Sequence, residues 1–169
     1  LNLTSAGSTD IFIQKLDPTG NFIWAKSMGG TSADDNSTSI TTDALGNVYT
    51  TGYFGGTADF DPGSGTFNLT SNGFADIYIQ KLDSNGNLIW ARSMGGASND
   101  YGRSITTDVL GNGYTTGCFA ETVDFDPGTG SFNLTSAGNY DIFIQKLDSN
   151  GNLIWARSMG STGTDGGNS

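Results

Sequence analysis

Two pairs of aspartates have the residue types and spacing best suited to chemistry. They are Asp59 with Asp61 and Asp124 with Asp126, and each pair is followed by Pro-Gly. Ca²⁺ prefers oxygen ligands, and a turn can bring two nearby carboxylates and some backbone carbonyls onto one ion. The pairs therefore predict calcium as a candidate cofactor. The alternative is that one aspartate caps the turn while the other faces water, because the full ligand set of a calcium loop is missing.

Aromatic residues in loops form a second group of candidates. Phe74, Tyr101 and Tyr140 lie at positions that vary between the repeats described below, and such rings can stack on a sugar face. They are the predicted ligand-binding residues. The three tryptophans instead recur at strand positions, where a large ring is expected to fill the core.

Catalytic groups are scarce. Histidine is absent, which excludes Ser-His and Cys-His nucleophile pairs, and the single cysteine, Cys118, is expected to be a small buried apolar residue. The departures from repetition do not form an acid, base and nucleophile set in sequence. They include Arg103 opposite Thr38, Cys118 opposite Tyr53, Glu121 opposite Gly56, and Phe74 opposite Ser8 and Asn139. We therefore predict no enzymatic activity and no catalytic residue.

Charge and composition restrict the partners. The net charge of −10 argues against nucleic acid, and no apolar run is long enough to insert into a membrane as a helix. Glycine is abundant, at 26 of 169 residues, and proline is rare, at 3, which is typical of an all-β protein with many turns. Acidity suits an extracellular or cell-surface protein.

One hairpin occurs three times and organises the chain. It spans residues 10–29, 76–95 and 141–160, which gives a period of 65 or 66 residues. Each copy contains an Asp-x-x-Gly-Asn turn, and the same turn recurs between the copies. A period is predicted to hold four strands and one long loop. The predicted units are a partial blade over 1–36 with its outer hairpin at 10–28, a blade over 37–102 with a loop at 55–75, and a blade over 103–169 with a loop at 120–140.

Both faces of the hairpin are apolar, which predicts that it is covered on two sides. Four-stranded antiparallel sheets covered by copies of themselves are typical of β-propeller blades. We therefore predict an all-β fold with about two and a half propeller-type blades, either as an incomplete propeller or as an open stack.

The hairpin sequence Asp-Ile-Phe-Ile-Gln-Lys-Leu-Asp-x-x-Gly-Asn-Leu-Ile-Trp-Ala resembles the SBBP repeat of bacterial β-propeller proteins. So does the sequence Ser-Ile-Thr-Thr-Asp-x-x-Gly-Asn. The resemblance covers nearly the whole chain. It implies a secreted or surface-anchored propeller scaffold without a common enzymatic activity.

Three functions remain open at this point. The first is a non-enzymatic extracellular structural or adhesive scaffold, with this chain as a segment of a longer repeat protein. The second is a carbohydrate- or protein-binding module that uses the variable loops. The third is a subunit that self-assembles into a filament or ring through exposed blade faces. The expected partners are copies of the chain or flanking blades, and surface glycans or proteins.

Overall fold

The computed structural model describes residues 2–31 and 33–168, so the predicted boundaries at Leu1 and Ser169 lie outside the described residues. Within the described part the secondary structure is all β. The strands are β1 Ile11–Leu16, β2 Phe22–Gly30, β3 Asn36–Thr42, β4 Val48–Phe54, β5 Thr57–Asp59, β6 Asn68–Thr70, β7 Asp76–Leu82, β8 Leu88–Met94, β9 Tyr101–Thr107, β10 Gly113–Phe119, β11 Thr122–Asp124, β12 Asn133–Thr135, β13 Asp141–Leu147 and β14 Leu153–Met159. No helix in residues 2–31 and 33–168 is long and apolar enough to cross a membrane.

The strands form antiparallel sheets of the kind predicted. One sheet has the order β3-β4-β7-β8 and is called the middle blade, and the sheet of β9, β10, β13 and β14 is called the last blade. Strands β1 and β2 form the first hairpin, which matches β7-β8 and β13-β14 in register. The predicted all-β fold of four-stranded antiparallel blades is confirmed.

The Asp-x-x-Gly-Asn sequences close the hairpins. In the first one, Asp17 Oδ1 accepts hydrogen bonds from the amides of Thr19 and Asn21, while Asp17 Oδ2 accepts one from the Asn21 side chain. Gly20 has φ +87°, which a residue with a side chain rarely adopts. The hydrogen bonds from Asn21 and Thr19 lower the pKa of Asp17 to about 2. These aspartates therefore act as turn residues at one end of each blade, called the turn rim.

The long segments at 55–75 and 120–140, predicted as loops, each contain two short strands. Strands β5 and β6 pair to form the first wedge hairpin, and β11 and β12 form the second. Strand β5 also pairs with β2, through Gly29 opposite Asp59 and Gly30 opposite Ala58. Strand β6 lies beside β8 of the middle blade. The first wedge hairpin thus extends the sheet of the first hairpin and reaches the middle blade. The second forms a two-stranded sheet that lies beside β14 and against Gly96, which follows β8.

Two hydrophobic cores lie between the sheets. The core between the first hairpin and the middle blade contains Ile11, Ile13, Met28, Val48, Phe54, Ala58, Phe60, Tyr78, Leu82 and Ala91. The core between the middle and last blades contains Tyr49, Ile77, Ile79, Trp90, Met94, Ile105, Phe119, Val123, Phe125, Phe143, Leu147 and Ala156. Each core has three contributors, which are one face of a blade, the opposite face of the next blade and the wedge hairpin. The fully buried residues of the wedges include Ala58 and Phe60 in the first and Val123 and Phe125 in the second.

A buried glutamine ties each wedge to its blade. Gln80 Nε2 donates to the carbonyl of Phe60 at 2.7 Å, and Gln145 Nε2 donates to that of Phe125 at 2.6 Å. Both glutamines have no exposed surface, so a lost bond would leave a buried amide unpaired. The glutamine therefore recurs in these hairpins because its side chain binds the backbone of a wedge residue that lies more than a dozen positions earlier in the chain.

Candidate functional site

The variable residues meet at the ends of the blades opposite the turn rim. Here β9 begins, β10 ends, β13 begins and the wedge hairpins leave the sheets. This end is called the loop rim. Tyr101 and Tyr140 contact each other there, with ring centroids 6.2 Å apart. The structure therefore brings two of the three predicted ligand-binding residues into direct contact.

The rings of the loop rim form a column across the blade junction. Tyr53 of the middle blade packs edge-on against Tyr101, with centroids 4.9 Å apart. The Arg103 guanidinium carbon lies 5.0 Å from the centre of the Tyr101 ring, which is a cation–π distance. Burial raises the pKa of Tyr101, so its hydroxyl stays protonated and can donate a hydrogen bond.

Phe74 lies on the neighbouring part of the rim and is 78 % exposed. It lines a shallow pocket together with Glu121, Asn139 and Tyr140. Glu121 has φ 57°, in the left-handed region, at the position where the preceding repeat has Gly56 with φ 65°. A side chain in that conformation costs roughly 1–2 kcal/mol. The chain therefore tolerates backbone strain at a residue that lines a pocket.

A second pocket of about 320 Å³ adjoins the first and shares Tyr140 and Thr164 with it. It is called the Cys118 pocket. It is lined by Tyr101, Arg103, Cys118, Tyr140, Thr164, Asp165, Gly166 and Asn168. All four departures from repetition named above, at positions 74, 103, 118 and 121, thus lie in these two adjoining pockets.

Two small residues open the Cys118 pocket. Residues 164–168 take the place that 99–103 take one blade earlier, because Thr164 pairs with Tyr140 as Asn99 pairs with Ala75. At the earlier junction the rings of Tyr53 and Tyr101 fill the space. At the later junction the matching positions hold Cys118 and Gly166. The pocket therefore results from two large-to-small replacements in an otherwise repeated interface.

The lining of the Cys118 pocket includes the Cys118 thiol and two charged side chains, those of Arg103 and Asp165. Burial raises the pKa of the Cys118 thiol, although the nearby Arg103 opposes this shift. The thiol is therefore protonated at neutral pH and is a poor nucleophile. Cys118 is 7 % exposed, which confirms the sequence-based prediction that this cysteine is buried. Asp165 is engaged, since its Oδ2 accepts hydrogen bonds from the Ser161 amide and hydroxyl. In the described ranges, Arg103 has no carboxylate within salt-bridge distance.

The aspartate pairs predicted to bind calcium hold the turns of the wedge hairpins. Asp59 Oδ1 accepts hydrogen bonds from the amides of Asp61 and Phe67, and Asp61 Oδ1 accepts one from Gly63. The second pair repeats this pattern, with Asp124 accepting from the amides of Asp126 and Phe132 and Asp126 accepting from Gly128.

Burial alone would raise the pKa of Asp124, but the hydrogen bonds from Phe132 and Asp126 outweigh it and lower that pKa. Across residues 2–31 and 33–168, no group of three or more acidic, cysteine or histidine side chains is arranged to hold a metal ion. Calcium at Asp59, Asp61, Asp124 and Asp126 stays a prediction.

Buried aspartates that the sequence did not single out fasten the blade junctions. Asp100 is fully buried, and its two oxygens accept hydrogen bonds from the amides of Gly96 and Ala120. It therefore joins the segment that follows β8 of the middle blade to the residue that follows β10 of the last blade. Asp76 is also fully buried and lies directly against Gly95, which leaves no room for a side chain there. Burial raises the pKa of Asp100 to about 6 and also raises that of Asp76.

Comparison with known proteins supports the propeller assignment. Residues 23–56 match the sequence model of the SBBP family, described as a β-propeller repeat. The chain carries a β-propeller repeat of the SBBP family. The matched SBBP repeat runs from β2 through β4 and ends at Gly56, just before the first wedge hairpin. The wedge hairpins therefore lie outside the matched unit.

One relative resembles nearly the whole chain. It is an uncharacterized WD repeat-containing protein of Acanthamoeba polyphaga mimivirus, 30 % identical over 178 residues, which covers 91 % of this chain. The chain spans 13 % of that relative's length. Together with the SBBP match, this similarity indicates a repeat-based scaffold protein.

The residues that vary between the blades can be seen in the sequence, but the sequence does not show that they meet at one site. The difference between Tyr53 and Cys118 was visible, and so was the difference between Tyr101 and Gly166. Two aromatic residues, Tyr53 and Tyr101, face each other across one junction. At the next junction, both matching positions hold residues without a ring. Without the blade order, nothing in the sequence shows that these positions face each other.

Proposed function

We propose that the chain is a non-enzymatic extracellular repeat scaffold with a structural or adhesive role. The observation that carries this proposal is the way in which its blades join. Each junction combines two blade faces and a wedge hairpin, with the wedge carbonyl bound by Gln80 or Gln145. The same junction can be repeated along a longer chain, which suits a scaffold that presents surfaces at regular spacing.

The variable loop rim supports the adhesive part. The repeated residues build the cores, whereas the residues that differ between blades line the two pockets of the loop rim. A scaffold that binds other molecules is expected to vary on its surface while its interior stays constant. In this proposal the scaffold recognises a carbohydrate or a protein through Phe74, Tyr101 and Tyr140.

Surface retention tests the adhesive role. Beads coated with the chain would be applied to cell-surface preparations, and the retained fraction would be compared with that of beads coated with an unrelated acidic all-β protein of similar charge. We expect the chain to be retained above this control. Equal retention would contradict adhesion. For location, protease treatment of intact source cells should digest the protein, whereas digestion only after lysis would contradict an extracellular position.

Self-assembly is a second candidate, favoured by two complementary blade faces. On the first hairpin, Phe12 is 67 % exposed and Leu16 is 46 % exposed, although the matching Phe143 and Leu147 are buried at the junction between the middle and last blades. On the last blade, Ile142, Ile144 and Tyr114 line an open groove of about 460 Å³. The matching residues of the middle blade, Ile77, Ile79 and Tyr49, are covered by the last blade.

The face of the first hairpin in one copy thus carries residues that fit the open face of the last blade in another. A contact between two different surfaces continues into a filament or closes into a ring. Light scattering over a range of concentrations tests this candidate. We expect the mass to rise with concentration, and a constant monomer mass would refute assembly.

A further inference from the structure

The Cys118 pocket has the size and chemistry of a site for a small ligand. Its volume of about 320 Å³ falls at the lower end of the range for ligand pockets in proteins. Its lining combines the aromatic rings of Tyr101 and Tyr140 with the polar side chains of Thr164 and Asn168. Rings together with hydrogen-bonding groups suit a molecule that has an apolar face and several hydroxyl groups.

Arg103 gives the pocket a preference for an anion. It is exposed and replaces the threonine found at position 38 of the preceding repeat. A guanidinium group binds a carboxylate through two parallel hydrogen bonds, and its position over the Tyr101 ring restricts its orientation. The net charge of −10 disfavours a polyanion such as nucleic acid. A ligand with one carboxylate fits better.

We propose that the Cys118 pocket binds an acidic sugar residue, a uronic or sialic acid, with its carboxylate on Arg103 and its ring against Tyr101 and Tyr140. The thiol of Cys118 takes no chemical part, and its small size makes the space. This assignment names the ligand class for the proposed adhesive function and rests on that function.

Calorimetric titration of the whole chain tests the assignment. The probes are galacturonic acid and N-acetylneuraminic acid, each with one carboxylate, and galactose is the neutral comparison. We expect the acidic probes to bind and galactose to bind at least tenfold more weakly, since only the acidic probes offer a carboxylate to the Arg103 guanidinium. Equal binding of neutral and acidic sugars, or binding of acidic peptides but of no sugar, would overturn the assignment.

Four variants separate the contributions. Arg103→Thr restores the residue of the preceding repeat and should weaken acidic-sugar binding at least tenfold. Arg157→Thr removes the same charge from an exposed position on β14 and should leave binding unchanged. Cys118→Tyr restores the ring of Tyr53 and should abolish binding by filling the pocket, whereas Cys118→Ser should keep it. Unchanged affinity in both Arg103→Thr and Cys118→Tyr would overturn the assignment. Because Arg103 is exposed, Arg103→Thr remains a fair test if Cys118→Tyr does not fold.

The same variants distinguish failure of this pocket from failure of the adhesive function. If beads coated with Cys118→Tyr are retained as well as wild type, the adhesive role stands and the pocket assignment falls. If the wild-type chain binds the acidic sugars but its beads are not retained, the adhesive role falls and the pocket assignment stands.

Discussion

Phe12 and Phe143 are the same residue type at the same position of the repeat, in opposite environments. Phe143 has no exposed surface and packs against Phe125 with ring centroids 4.9 Å apart. Phe12 is 67 % exposed. Replacing each by alanine therefore compares one chemical change inside and outside a blade junction.

The two costs should differ several-fold. Phe143→Ala removes a fully enclosed ring and leaves a cavity, which typically lowers the free energy of unfolding by about 3–5 kcal/mol. Phe12→Ala removes a ring with only a third of its surface buried and leaves no enclosed cavity. At about 25 cal/mol per Å² of apolar area, we expect a loss of about 1 kcal/mol or less.

Urea unfolding at micromolar concentration, followed by tryptophan fluorescence, measures both losses. Far-ultraviolet circular dichroism on the same samples shows whether each variant keeps the β fold before unfolding. Losses of equal size in dilute solution would refute the assignment of these two positions to a covered and an uncovered blade face. If copies join as proposed above, the cost of Phe12→Ala should rise with protein concentration while that of Phe143→Ala should not.

Three further predictions concern the loop rim, the buried aspartates and the wedge turns. Glu121→Gly should raise the free energy of unfolding by about 1 kcal/mol, because glycine adopts φ 57° without strain. Thermal melting measures this change, and Gly56→Glu as the reverse variant should lower the midpoint. Burial raises the pKa of Asp35 and of Asp100 to about 6, so the stability that they contribute is present below the unfolded pKa of 3.8 and is lost as pH rises through about 6. The turn aspartates act in the opposite direction, since the pKa of Asp17 and that of Asp108 are lowered to about 2 and their contribution is lost as pH falls through that value. Urea midpoints measured from pH 2 to 8 should therefore peak near pH 4, and a steady rise up to pH 7 would contradict this. If Asp59, Asp61, Asp124 and Asp126 bind calcium, excess chelator should lower the melting temperature and added calcium should restore it. An unchanged melting temperature would count against these ligands.

The blades could be predicted from the sequence because their signals are local. A turn such as that at Asp17 is set by residues within five positions, and alternating apolar residues define the faces of each strand. Three copies of the hairpin then predicted that the sheets cover one another. These features depend on residues that are close in sequence, so the repeat alone reveals them.

The wedge hairpins could not be predicted in the same way. Strand β5 has three residues, too few to show a period, and its partner β2 belongs to the preceding hairpin. The apolar residue that matters, Phe60, lies between two aspartates in a sequence typical of a turn. Its burial depends on a space between two sheets, which no local pattern describes.

The candidate site shows the same limit. The sequence identified Phe74, Tyr101 and Tyr140 as variable aromatic residues, and the structure places them along two adjoining pockets. It did not reveal the Cys118 pocket, because that space exists only where Cys118 and Gly166 face each other across a junction. The sequence shows that positions 118 and 166 carry no ring. Whether a cavity results depends on how the surrounding residues pack, which the sequence does not show.

The pairing of β2 with β5 also determines how the chain would respond to a pulling force. A linker between two blades is normally the first part to extend, because nothing but side-chain packing holds the blades together. Here Gly29 and Gly30 pair with β5, and its hairpin partner β6 lies beside β8 of the middle blade. Force transmitted along the chain would therefore load backbone hydrogen bonds and the buried Phe60 ring before one blade could separate from the next. At the next junction β11 and β12 form a two-stranded sheet of their own, so the junction held by Gly29 and Gly30 should resist extension more strongly.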